Sequence, residues 1–188
     1  MLAAIGLLQP AMADDRVGVN SAVNPAGTGT PPAGPTRQLM IGQDVVFKER
    51  VNTADSGQTQ IMFLDESSMS VGPSSDLVID EFVYDPRADT GKIALSTTRG
   101  VFRYVGGKIS KLDGAVTVQT PIASLGIRGG AFLLRLINNQ LEVIFIYGKS
   151  LTVTGRNGHT QTLLRAGYGV TVNGPVAIRP SRLGPRRN

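Results

Sequence analysis

Hydrophobic and polar positions alternate along this chain in short runs, and no segment holds a helical period for more than two turns. From Leu39 onward the runs recur between turn residues. Gln58 to Leu64 sets Ile61 and Phe63 on one side and Gln60 and Met62 on the other. Asp65-Glu66-Ser67 then offers a turn into Met69 and Val71, which predicts a hairpin. Gly72-Pro73-Ser74-Ser75 breaks the ladder, because proline has no amide hydrogen to donate. Leu77 to Tyr84 resumes as a strand and stops at Asp85-Pro86-Arg87. Lys92 to Thr98 and Val101 to Val105 follow as two runs flanking Gly100, and Val116 and Val118 share a face before Pro121.

The runs Ala131 to Ile137 and Leu141 to Tyr147 are nearly continuous in apolar residues and are joined by Asn138-Asn139-Gln140. That pattern predicts a central pair covered on both faces, with a charge at Ile144 expected to unfold the domain. Leu151 to Thr154, the Asn157-Gly158 turn and Thr162 to Arg165 predict one more hairpin, since Asn-Gly suits a tight β-turn. Val170 to Val172 and Val176 to Ile178 close the series. The fold class expected is all-β, a single domain of many short strands. Sandwich, β-roll and solenoid-like coil all remain open, because periodicity does not separate them.

Composition changes this picture mainly at the ends. Leu2 to Leu8 is apolar and leads through Pro10 to Ala11-Met12-Ala13, the small-x-small form of a secretory cleavage site, so residues 1–13 are expected to be a signal peptide. Residues 14–38 are rich in Gly, Pro, Thr, Ala and Asn and read as a disordered linker. The β domain is then 39–178, followed by a basic tail, 179–188. Net charge is +5, but residues 1–178 are nearly neutral, and Arg179, Arg182, Arg186 and Arg187 carry most of the excess. Four such charges without interleaved aromatic residues do not make a nucleic-acid surface. There is no cysteine, hence no disulfide framework or thiolate metal site. No stretch of about 20 apolar residues predicts a membrane-spanning helix.

Candidate chemistry is sparse, and no catalytic, cofactor-binding or metal-ligating residue is assigned. His159, the single histidine, follows Asn157-Gly158 at a hairpin tip, where a general base would lack fixed hydrogen-bond geometry. Gly148-Lys149-Ser150 resembles the end of a phosphate loop, but Val143 stands where the leading glycine belongs and a strand follows. Asp76, Asp80, Glu81, Asp85 and Asp89 match no calcium-loop spacing and read as a solvated strand edge. Arg128 lies among Leu125, Gly126, Ile127, Gly129 and Gly130. It is expected to bond backbone carbonyls or a carboxylate at a bend, so that Arg128→Ala lowers the melting temperature.

The stretch Thr120-Pro121-Ile122-Ala123-Ser124-Leu125-Gly126-Ile127-Arg128-Gly129-Gly130 resembles the Thr-Pro-x-Ala-x-x-Gly-Ile/Val-Arg-Gly-Thr signature of FecR domains. Upstream, Asp44-Val45-Val46-Phe47, Val51-Asn52-Thr53, Phe63-Leu64-Asp65, Val71-Gly72-Pro73, Asp80 to Asp85 and Gly106-Gly107-Lys108-Ile109 continue the likeness in order, from about Ile41 to Thr154. Gly130 stands where that family usually has threonine. The resemblance implies a β-rich extracytoplasmic domain for protein interaction and signal relay, without enzymatic activity or a cofactor. In the best-known members it conveys the state of an outer-membrane iron-siderophore receptor to a cytoplasmic sigma factor. It marks Thr120, Pro121, Gly126, Arg128 and Gly129 as structural or interaction residues. The chain shows neither a cytoplasmic anti-sigma segment nor a membrane span, so the expectation is a free periplasmic or secreted module with a protein partner in the cell envelope. Two other readings compete: a self-assembling surface protein pairing through its strand edges, and an envelope hydrolase using Asp65 or His159.

Overall fold

The computed structural model describes residues 16–24 and 26–174, together with the backbone of 177–182. The strands are β1 (Arg16–Asn24), β2 (Gly27–Thr30), β3 (Arg37–Gln38), β4 (Asp44–Val46), β5 (Arg50–Thr53), β6 (Gln58–Phe63), β7 (Ser68–Val71) and β8 (Asp76–Asp85). They continue as β9 (Thr90–Val105), β10 (Val116–Gln119), β11 (Ala123–Ile137), β12 (Gln140–Gly155), β13 (Thr160–Leu163), β14 (Tyr168–Asn173) and β15 (Ala177–Arg182). A single 3₁₀ turn, Ile109–Lys111, interrupts them. All belong to one mixed sheet, in which β9 and β10 run parallel and the other pairs antiparallel.

Three long strands organise the sheet. The first half of β9 lies between β8 and β10, and its second half lies between β7 and β11. Likewise β11 leaves β10 for β9, and β12 leaves β14 for β13. The inward positions slip by one where this happens. On β9 they are Ile93, Leu95 and Thr97 before Gly100, then Phe102 and Tyr104; on β11 they are Ala123, Leu125 and Ile127 before Gly129-Gly130, then Phe132, Leu134 and Leu136. A one-residue slip reverses strand parity, so each long strand bends and keeps presenting apolar side chains to the same interior. One buried cluster therefore draws on both arms, including Ile61, Phe63 and Phe102 from one and Leu77, Ile79 and Leu95 from the other. Burying each such side chain contributes roughly 1.5 to 3 kcal/mol.

The bend of β11 against β12 demands glycine. Gly130 and Gly148 face each other in the ladder with φ of 138° and 137°. A Cβ on Gly130 would overlap the Tyr147 carbonyl oxygen, and one on Gly148 the Gly129 carbonyl oxygen. Both the conformation and the close approach exclude a side chain. The run Lys92–Thr98 and the run Val101–Val105 are accordingly one strand kinked at Gly100, where φ is 125°.

Two expectations need correction. Residues 16–38, expected to be linker, carry β1 to β3, and β1 is inserted between β6 and β4. At Gly18 the glycine serves close backbone approach, since a Cβ there would overlap the Met62 carbonyl. The central pair, expected to be covered on both faces, is buried on one. Phe132, Leu134, Leu141, Val143 and Phe145 point inward, while Leu133, Ile144 and Ile146 are half-buried on the outer side and Tyr147 is 50% exposed. No layer among the described residues covers that side, so Ile144 is not a core residue. Of the terminal expectations, the proposed leader lies outside the described residues. The backbone of 179–182, placed in the tail, belongs to β15, which pairs with β14.

We expect Gly148→Ala to destabilise the domain by at least about 2 kcal/mol, from the φ penalty alone, whereas Ile144→Lys should change stability by less than about 1 kcal/mol. Urea unfolding of the two variants checks both values.

Candidate interaction surface

The residues of the expected family motif fall on the β10–β11 turn and the first half of β11. Thr120 builds the turn: its amide donates to the Ala123 carbonyl at 2.9 Å and its hydroxyl to the same oxygen at 2.7 Å. The hydroxyl also accepts the amide hydrogens of Ala123 at 3.0 Å and Ile122 at 3.4 Å. Pro121 follows Thr120 in the turn, where its fixed φ suits a reversal. From there Ser124, Gly126 and Arg128 point outward while Ala123, Leu125 and Ile127 fill the core. Gly126 has room for a side chain, since a Cβ there would find its nearest atom 4.0 Å away, and Gly129 is required by its φ of 51° rather than by crowding.

Around Gly126 the outer face is made of small polar side chains. Thr117 of β10 and Thr152 of β12 flank it, and Thr152 and Thr154 lie 3.3 and 3.1 Å by hydroxyl from Thr162 and Thr160 of β13. Arg128 closes one end of this face. Its guanidinium bonds the Asp113 carboxylate at 2.8 Å, with the two side chains 35% and 77% exposed. Of the partners expected for Arg128, the carboxylate is present, and no backbone carbonyl among the described residues takes part. An ion pair so open to solvent contributes little to stability, so the loss expected in Arg128→Ala should be small.

The buried charges lie elsewhere. Asp65, fully buried in the β6–β7 turn, accepts the Ser67 amide at 3.1 Å and hydroxyl at 2.5 Å, and the Ile109 amide at 3.1 Å. It thereby pins the 3₁₀ turn to the sheet. The Tyr104 hydroxyl reaches the same spot. Burial first, and the Asp65 carboxylate second, hold its proton well above the ordinary tyrosine range, with the Ser67 hydroxyl pulling the other way. Glu49, also fully buried, accepts from Arg37 at 2.9 Å and from the Val46 amide at 2.9 Å, joining β3 to the β4–β5 turn. Asp76, expected on a solvated edge, is instead buried and accepts from Arg50, Asn52 and Thr98. Sequence reasoning missed Glu49 and Asp76 because partners distant in sequence leave no local spacing. The Asp-x-Ser spacing of Asp65 and Ser67 was a usable turn signal.

Asp65 is buried and its carboxylate is engaged by three donors of the fold. His159 is exposed on the β12–β13 turn, and its ring makes no hydrogen bond among the described residues.

We expect Asp65→Ala to cost about 3 kcal/mol, because two buried amides lose a charged acceptor, and Arg128→Ala to cost no more than about 1 kcal/mol. Thermal unfolding of the two side by side distinguishes the anchor from the surface pair.

Comparison with known proteins agrees with this architecture. Two crystal structures of a proposed anti-sigma factor from Parabacteroides distasonis ATCC 8503 are similar to it, with TM-scores of 0.56 and 0.54 at 14% and 13% sequence identity. Each superposition covers 71% of this chain and 59% of the other, so the chain spans under two thirds of their length. At that identity the likeness concerns the fold. Among curated proteins none matches. The FecR protein family model matches residues 49–149, from the end of the β4–β5 turn through β9 and β11 and into β12 as far as the Gly148 kink. That is more than half of the chain, and the chain belongs to the FecR family.

Proposed function

We propose that this chain is an exported FecR-type binding module of a bacterial envelope, serving a signalling or surface-sensing system by contact with another protein rather than by catalysis. Membership of the FecR family carries the reading. The structural neighbours described as a proposed anti-sigma factor support a regulatory role. Export is supported by the apolar run Leu2 to Leu8 ahead of Ala11-Met12-Ala13. No helix among the described residues is long and apolar enough to cross a membrane. The buried Asp65, engaged by three donors, and the unsupported His159 ring speak against the hydrolase reading.

Two measurements test this reading. An alkaline phosphatase fusion after residue 38 should be active only when residues 1–13 are present; equal activity without them removes export from the proposal. Crosslinking of the tagged full chain in intact cells should recover a defined envelope protein, and light scattering of the purified chain should report a concentration-independent monomer. Concentration-dependent association would favour self-assembly through strand edges instead.

A further inference from the structure

An open strand edge borders a cleft on the side of the sheet away from the family motif. Up to Ile79, β8 is paired on both sides: the Ile79 amide donates to the Glu49 carbonyl at 3.2 Å, and the Ile79 carbonyl accepts the Lys48 amide at 3.0 Å. Beyond a bulge at Asp80 it pairs with β9 alone, from Glu81 opposite Ala94 to Asp85 opposite Thr90. The direction of the remaining backbone groups follows from β9. The Ile93 amide donates to the Ala115 carbonyl at 2.8 Å, on the β10 side, so Lys92 and Ala94 turn toward β8. In an antiparallel ladder this makes Val83–Lys92 and Glu81–Ala94 the hydrogen-bonded pairs. The amides and carbonyls of Phe82 and Tyr84 therefore point away from β9, and they meet no partner among the described residues.

Beside them lies a cleft of about 620 Å³ lined by Val17, Phe47, Leu64, Phe82 and Tyr84 together with Asp80 and two basic residues, of which Arg16 is ion-paired with Asp44 at 3.2 Å and Lys48 holds its ammonium over the Phe47 ring. Its floor is rigid, since Phe82 stacks on the buried Phe63 with ring centroids 5.6 Å apart. Strand parity divides the two sides of β8: Phe82 and Tyr84 pack against the core, whereas Glu81, Val83 and Asp85 face outward. Glu81 is paired with Lys92 at 2.8 Å, and Asp80 has no ion pair among the described residues.

We propose that an extended segment of a partner protein adds to the sheet along Phe82–Tyr84, its apolar side chains entering the cleft and its alternate, basic side chains lying beside Asp80, Glu81 and Asp85. Two donors and two acceptors spaced two residues apart are what an incoming strand completes, and side pockets at the same period read its sequence. The charge of Asp80 and Asp85, which have no ion pair among the described residues, sets the partner's charge. It also disfavours a second copy of β8, which would place carboxylates opposite carboxylates. This rests on the reading of the chain as a protein-binding module, and names where and what it binds.

The test uses the full chain and a blocked hexapeptide alternating valine and lysine, with a valine–glutamate peptide as its charge counterpart. Amide exchange in the free protein should be fast at Phe82 and Tyr84 and slow at Glu81 and Val83, and the valine–lysine peptide should slow the first pair. N-methylation of alternate peptide amides should weaken binding by about tenfold or more, as should Tyr84→Pro, which removes an outward amide and spares the ladder to β9. Asp80→Lys should shift preference toward the valine–glutamate peptide. Equal binding of the methylated peptide, no binding of the valine–lysine peptide, or a dimer abolished by Tyr84→Pro would each overturn the proposal. If the cellular crosslink persists undiminished in Tyr84→Pro while the peptide does not bind, the edge is refuted and the protein-binding reading stands.

Discussion

The backbone contact between Gly130 and Gly148 is the constraint from which the rest of this structure follows. Two adjacent strands approach there so closely that neither position has space for a β-carbon, and both residues hold positive φ. With Gly100 on β9, these residues let three long strands bend and change partners while the ladder stays continuous. A domain this size could have divided its strands between two separate sheets. Here covalent continuity through the bends joins the arms, and the shared apolar interior holds them.

Polar anchoring is concentrated at the joints of that architecture. Glu49 ties the first strands to the β4–β5 turn, Asp65 ties the 3₁₀ turn to the β6–β7 turn, and Asp76 ties β5 to β8 and β9. Each carboxylate is buried and meets several donors, which is the condition under which a buried charge is tolerated. Arg128 is different in kind. It sits in the best-defined stretch of the family signature, yet its partner is a solvent-exposed aspartate, and it borders a face of threonine and serine hydroxyls rather than the core.

Much of the fold is legible in the chain alone. Alternation locates β6, β7 and the β12–β13 hairpin, and Asn157-Gly158 marks the turn that joins the latter pair. Two failures have physical causes. Glycine in residues 16–38 suggests freedom, whereas at Gly18 it serves contact between strands. The apolar run through Ile144 suggests burial on both faces, but a sheet with one solvated side can carry half-exposed aliphatic residues there. The open edge of β8 is not legible at all, because which amides lack partners depends on where β5 stops and where the bulge at Asp80 falls.

The rigidity of the surfaces this domain presents depends on the two arms sharing one interior. Native-state amide hydrogen exchange measures that dependence directly. If the bent strands enclose one core, Leu95 and Tyr104 on β9 will open with the same free energy, as will Leu125 and Leu134 on β11, because each pair straddles a bend. Separate opening free energies on the two sides of Gly100 and of Gly129-Gly130 would mean two independent halves and would contradict the single-core architecture.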